Sequence, residues 1–177
     1  METAIRAGVP ADAPALAAIF DRSARSGWSS LFPPEWFEGL ESAPRDISLG
    51  LAGLAGMRVL VAERSGRLAG FVLVRPSADE DAAPSTGELH MLFVDPGAWG
   101  AGVGRALLQA GAAELRGLGY GEATLWTAQA LERAPKLYAS AGWRLDGLKR
   151  TRTVRGRTFE EARYRLALGP RPTPSPP

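Results

Sequence analysis

The sequence predicts an α/β domain of the α+β kind, a sheet with helices on both faces. Three observations lead there. Helical patterns come early in the chain. Strand–loop–helix–strand units follow, and one such crossover should join parallel strands. With 177 residues, 45% of them hydrophobic, the chain can bury one proper core and is too short for two comfortable domains.

Taken in order, Thr3 to Ala7 reads as a short strand. Pro10-Ala11-Asp12-Ala13-Pro14 opens a helix, with Asp12 as N-cap and Pro14 in the first turn. Leu16, Ile19, Phe20 and Ser23 follow at helical spacing, and Gly27 interrupts them. A second helical stretch begins near Pro33-Pro34-Glu35 and carries Trp36, Phe37 and Leu40. From Pro44 to Gly56 no pattern is assignable. Arg58 to Ala62 and Leu68 to Val74 form a hairpin about Ser65-Gly66. Pro76 to Ser85 is an acidic surface loop, Glu88 to Val94 an apolar strand, and Pro96 to Gly102 a Gly-rich loop. Val103 to Leu118 is a helix with Leu108, Ala112 and Leu115 on one face, flanked by Leu107 and Leu118, and Gly119 ends it. Ala123 to Thr127 is a strand, Glu132 to Ala141 a short helix, Gly142 starts an extended run, and Thr158 to Leu168 is the last strand. One domain is thus expected over residues 1–168, followed by a Pro-rich, disordered tail over 169–177.

Composition narrows the function. There is no cysteine, which removes disulfides and thiolate catalysis and fits a reducing, cytoplasmic setting. One histidine and no cysteine also argue against a zinc site, so no metal is expected. No apolar run is long enough to span a membrane, and the N-terminus lacks the pattern of a secretory signal. Net charge is only +2. A basic run does stretch from Lys149 to Arg165, opposed locally by Glu160 and Glu161. It reads as the solvated face of a hairpin rather than a nucleic-acid surface, with attraction for an acidic acceptor as the functional alternative.

The chemistry concentrates in VDPGAWGAGVGRALL, Val94 to Leu108. A strand ends at Val94, Asp95-Pro96-Gly97 stops it, and a helix begins among Gly100, Gly102 and Gly104. The first N–H groups of that helix lack internal partners and sit at the positive end of its dipole, so they can hold a phosphate. Glycine lets the anion approach the backbone. Two familiar phosphate loops fail the match. Gly104 is followed by Arg105-Ala106 rather than Lys-Ser/Thr, and the glycines are spaced by two, unlike G-x-G-x-x-G.

Trp99 to Gly104 does resemble the Q/R-x-x-G-x-G/A loop of the GNAT superfamily of acyl-CoA N-acyltransferases, with Trp99 where Gln or Arg is usual. Glu88 to Pro96 looks like the fourth strand of that superfamily. Leu137-Tyr138-Ala139-Ser140-Ala141-Gly142-Trp143 is similar to its Tyr-x-x-x-Gly-Phe/Trp segment. Leu131 stands where an asparagine is common, while Ala134 matches. The similarity covers Ile5 to Leu168 and is sharp from Glu88 to Trp143. It implies a mixed, mainly antiparallel sheet of six or seven strands with a splayed central parallel pair. It also implies acetyl-CoA as co-substrate, with the pyrophosphate on amides of Gly100, Ala101, Gly102, Val103, Gly104, Arg105 and Ala106. The pantetheine arm would lie on backbone groups of Phe93 and Val94, the latter also facing the oxyanion. Members often form homodimers, and no dimer face stands out in this sequence.

The resemblance makes Tyr138 the general acid for the leaving thiolate, with simple core packing as its alternative. Glu88 is the candidate base, since a strand that buries a carboxylate needs a reason. Its alternative is a place at the strand's exposed start. Glu88 and His90 alternate onto one face, and His90 is either a second base or a satisfied structural group. Trp28, Phe32 and Trp36 fall where the superfamily lines its acceptor pocket, with core packing as the competing account. The expected reaction is direct transfer of acetyl to a primary amine of a small molecule, with an amino-acid-like compound, an aminoglycoside-like antibiotic and a protein N-terminus also open as acceptors. A degenerate acyl-CoA sensor without turnover is the alternative.

Overall fold

The computed structural model describes residues 2–38 and 42–170, with side chains described from 45 onward in the second stretch. Most of the expected tail, and Leu40, lie outside the described residues. The elements are β1 (Thr3–Ala7), α1 (Ala13–Gly27), α2 (Ser42–Leu51), β2 (Arg58–Arg64), β3 (Arg67–Pro76), β4 (Thr86–Val94), α3 (Val103–Gly117), β5 (Glu122–Ala128), α4 (Arg133–Ser140), β6 (Arg144–Val154) and β7 (Arg157–Ala167). One seven-stranded sheet runs β1-β2-β3-β4-β5-β7-β6. Every pairing is antiparallel except β4 with β5.

Local chemistry explains most elements. Ser65 and Gly66 take φ of 53° and 71°, as a tight two-residue hairpin requires. β3 is apolar without alternation because both its faces are covered. Phe71 and Leu73 pack under α1 and α2, whereas Val72 and Val74 pack under α3. Along α3 the buried positions are Val103, Leu107, Leu108, Gly111 and Leu115. Leu118 is exposed, because α3 has already ended.

Three local expectations change. Asp12 occupies the N-cap position of α1 without capping it. Its carboxylate accepts the Val9 N–H at 2.9 Å and two hydrogen bonds from Arg6, at 2.8 and 3.0 Å. The helical stretch at Pro34 is a single 3₁₀ turn ending at Phe37. The unassigned segment contains α2, with Ile47 fully buried beneath it.

The decisive feature lies at the sheet centre. β4 and β5 are in register only across Thr86–Glu88 and Glu122–Thr124. Beyond that, β4 follows β3 as far as Val94 and β5 follows β7 as far as Ala128, so the two strands part and leave a wedge.

Candidate active site

The wedge opens into a cleft of two lobes that share Trp28, Leu92, Phe93, Leu131, Ala134 and Tyr138. The larger encloses about 700 Å³ between β4 and the start of α3, the smaller about 270 Å³ beneath α1 and α2.

In the larger lobe, Asp95 N–H donates to the Ala69 carbonyl at 2.8 Å. Antiparallel alternation therefore turns the peptide groups of Phe93 towards β3 and those of Val94 and Leu92 into the cleft. Of the two residues expected to offer backbone, Val94 does so. Phe93 has spent its groups on β3 and contributes its ring. Asp95 pins the following turn by accepting Gly97 N–H at 3.0 Å and Arg22 Nε–H at 2.9 Å.

Gly102, with φ of 83°, sets the chain into α3, and its carbonyl accepts the first helical bond from Ala106 N–H at 3.0 Å. The N–H groups of Gly102, Val103, Gly104 and Arg105 come before that bond, and among the described residues none has a protein acceptor. Ala106 is thus committed, as is Ala101, whose N–H donates to Ala98 at 3.3 Å. The expected run of donors from Gly100 to Ala106 narrows accordingly. Trp99 Nε1–H donates to the Val94 carbonyl at 2.9 Å, and the Arg133 guanidinium sits 4.5 Å from the Trp99 ring centroid. Arg105 ties α3 to α4 through Ser140 Oγ at 2.8 Å.

Tyr138, 7% exposed, lies where the lobes meet. Burial pushes its phenol well above the usual value, with Tyr164 adding to the effect. Its hydroxyl has no hydrogen-bond partner among the described residues.

The smaller lobe is walled by aromatic faces. Phe32 and Trp36 stack at 3.9 Å, Phe159 meets Phe32 at 5.5 Å, and Trp28 meets Phe93 at 5.9 Å. Trp28, Phe32 and Trp36 are therefore wall and core at once. His90 lines this lobe and bridges two carboxylates, with Nδ1 at 3.1 Å from Glu88 and Nε2 at 3.3 Å from Asp46. Glu88 stands behind that wall, 5% exposed, and also accepts from Arg75 Nε–H at 2.9 Å. Burial alone would raise its pKa. The hydrogen bonds from His90 and Arg75 outweigh burial and hold it below the usual carboxylate value. This is not the strand's exposed start, yet both carboxylate oxygens already have donors.

Sequence reasoning missed Asp46 and Arg133, and it named Arg152 and Glu161 only as parts of the basic run; all four line the cleft. The last two belong to the basic hairpin, where a local charge pattern was the signal available. The run is largely neutralised by partners. Arg163 contacts Asp79, Asp81 and Asp146, and Arg165 contacts Glu122 at 2.6 Å.

Residues 16–143 match the family model of the acetyltransferase (GNAT) family. The chain belongs to that family. Mycothiol acetyltransferase of Thermobispora bispora is 38% identical over 94 residues, 51% of this chain and 32% of that protein. That of Propionibacterium freudenreichii subsp. shermanii is 44% identical over 81 residues, 46% of this chain and 25% of its own. The match spans about a third or less of these relatives' length. Ribosomal-protein-alanine N-acetyltransferase from Brucella melitensis superposes with a TM-score of 0.74 at 25% identity, covering 93% of this chain and 99% of that one. YncA from Salmonella typhimurium, solved with its cofactor acetyl-CoA, has a TM-score of 0.74 at 21% identity over 99% of both chains and shares the fold. Among the described residues no group of His, Asp and Glu is placed to hold a metal ion, and no helix is long and apolar enough to cross a membrane.

Proposed function

We propose that this chain is an N-acetyltransferase acting directly between acetyl-CoA and a primary amine of a small molecule, in a reducing, cytoplasmic setting. The observation that carries the reading is the meeting of two unlike lobes at Tyr138, one edged by free amides and the other by aromatic rings and carboxylates. Four unpaired N–H groups at a helix start suit a diphosphate. The outward edge at Val94 and Leu92 suits the amides of an extended pantetheine arm. Acetyl-CoA supplies the thioester carbonyl that the amine attacks.

The residues divide the remaining work. His90 Nδ1–H donates to Glu88, which leaves Nε2 beside Asp46 to take the proton of the incoming ammonium. Glu88 fixes the imidazole rather than acting as the base, because its own oxygens are occupied. Tyr138, kept protonated by burial, donates to the departing sulfur. A phenol with so high a pKa holds that proton more tightly than an ordinary thiolate at about 8.5 would, so its role is a hydrogen bond more than a full transfer. Val94 N–H faces the carbonyl oxygen. The likeness to mycothiol acetyltransferases over about half the chain favours a small amine. The Brucella neighbour makes a protein N-terminus the case to test against.

Coenzyme A release read with a thiol reagent tests this directly, since the chain has no cysteine of its own to react. Turnover with a primary amine is expected, and Tyr138→Phe should lower kcat by roughly 100-fold while acetyl-CoA affinity stays unchanged. His90→Gln should lower kcat more than Glu88→Gln, because Glu88 acts only by fixing the imidazole. Acetyl-CoA binding without turnover of any amine would leave a sensor instead of an enzyme.

A further inference from the structure

Besides Tyr138, the acceptor lobe carries four charged or titratable side chains, Asp46, His90, Arg152 and Glu161. Pairing them off leaves Arg152 and Asp46 the most loosely held. Glu161 is buried and accepts Arg150 Nε–H at 2.6 Å, and the Arg150 guanidinium also lies 4.2 Å from the Trp126 ring centroid. One oxygen of Glu161, Oε2, is therefore satisfied from outside the lobe. Arg152 reaches the same carboxylate only at 3.6 Å and donates no hydrogen bond among the described residues. Its side chain is 51% exposed. Asp46 Oδ2 lies 3.3 Å from His90 Nε2, which carries no proton while Nδ1–H donates to Glu88, and Asp46 is 38% exposed. The lobe thus offers a half-exposed guanidinium that donates no hydrogen bond among the described residues, a carboxylate beside an imidazole, and aromatic faces.

Arg152 is also well placed. It sits opposite Phe159 in the β6–β7 ladder, and Phe159 packs edge-on against Phe32. The end of that hairpin is fastened to the aromatic wall from both directions. Trp36 Nε1–H donates to the Val154 carbonyl at 3.3 Å, and Arg155 donates to the Trp36 carbonyl at 2.6 Å. The guanidinium is carried on a frame that the acceptor's apolar part would itself contact.

We infer that the acceptor is a free amino acid with an apolar or aromatic side chain. Its carboxylate is held by Arg152, its ammonium by Asp46 and His90, and its side chain lies against Trp28, Phe32 and Trp36. The inference rests on the acetyltransferase reading above. The fork of a guanidinium matches a carboxylate in two parallel hydrogen bonds. A plain amine filling the lobe would cover Arg152 without supplying an acceptor, at a desolvation cost. A protein N-terminus has no α-carboxylate to offer.

The test compares leucine, methionine, phenylalanine and tryptophan with their amides, their decarboxylated amines and an alanine-leading peptide, by coenzyme A release. The amino acid should exceed its amide and its amine in kcat/KM by roughly 10- to 100-fold, mainly through KM. Arg152→Gln should bring that ratio close to one, and Arg152→Lys should restore part of it. Amides, amines or the peptide matching the amino acids in the wild type would overturn the inference and leave the acetyltransferase reading standing. If no amine turns over, that reading fails, and tryptophan quenching by phenylalanine in the presence of coenzyme A decides recognition alone. Saturable binding weakened by Arg152→Gln upholds it, whereas no binding, or equal binding by both proteins, overturns it. Thermal melts confirm that each variant is folded.

Discussion

Gly102 holds φ of 83°, and a Cβ built there would meet no atom within 4 Å. Gly102→Ala therefore adds backbone strain without a clash, on the order of 1 kcal/mol for a left-handed residue. Gly119, two residues past the end of α3, is a matched control, with φ of 98° and equally open surroundings. For a chain of this size both substitutions should lower Tm by about 3 °C. Acetyl-CoA affinity should separate them. The space beside Gly102 is where the unpaired amides of Val103, Gly104 and Arg105 begin, so a methyl there holds a diphosphate off the backbone. Losing one hydrogen bond to a charged group costs about 1.5–3 kcal/mol, or roughly 10- to 100-fold in Kd. Gly102→Glu adds like charge and should abolish binding. Calorimetry gives the affinities and scanning fluorimetry the melting points. Wild-type affinity in Gly102→Ala, or equal weakening by Gly119→Ala, would refute the placement of the anion at this loop.

Trp99→Phe keeps a ring beneath Arg133 and removes the donor on the Val94 carbonyl. If that carbonyl serves the cofactor, acetyl-CoA should bind about fivefold tighter, the worth of one neutral hydrogen bond. Weaker binding by calorimetry would mean that the indole itself contacts the cofactor. Arg163 is 2% exposed and serves three aspartates, so Arg163→Met strands partly buried charge and should cost about 3–5 kcal/mol in a urea titration. An unchanged midpoint would refute this. The hydrogen bond from Arg163 holds Asp81 at about 2, and those from Thr86 and Arg165 hold Glu122 low. Carboxylates with depressed folded values stabilise the fold above their unfolded pKa near 4 and lose that contribution as pH falls through the folded value. Tm should stay level from about pH 7 to 5 and drop below about pH 4, and a Tm that rises on acidification would contradict the pairing.

Where a signal is local, the sequence was legible. The hairpin turn at Ser65-Gly66, the apolar β4 and the start of α3 each follow from a few adjacent residues. α2 was not, because a proline and a glycine, Pro44 and Gly50, fall inside it and ordinarily disfavour a helix interior. Pro44 stands in the first turn, where its missing N–H costs nothing. Gly50 lets the helix approach the sheet, since a Cβ there would fall 2.8 Å from Val59 and 2.9 Å from Leu73. With α2 hidden, Asp46 could not be placed in the site. Glu88 and His90 were legible as a pair, but the donor that occupies Glu88 comes from Arg75 on the neighbouring strand. The basic hairpin fails to read for the same reason. Counted locally it faces Glu160 and Glu161, whereas Asp79 and Asp81 arrive from a loop more than eighty residues earlier.

The wedge and the chemistry proposed for it have one cause. β4 is bound along its length to β3, and β5 to β7, so neither strand is free to close the gap. Phe93, Leu131 and Tyr138 line the space between them. An unpaired strand edge is normally a hazard, because another chain can add to it. Here the edge at Leu92 and Val94 is recessed within a cleft. Folded neighbours cannot reach it, while a thin, extended, amide-bearing arm can. The Trp99 indole already satisfies one of the carbonyls that such recession would otherwise leave without a partner. That arrangement explains how a tryptophan can replace the usual Gln or Arg without emptying the site. The substitution changes what holds the edge before the cofactor arrives and leaves intact the amides that would hold it afterwards.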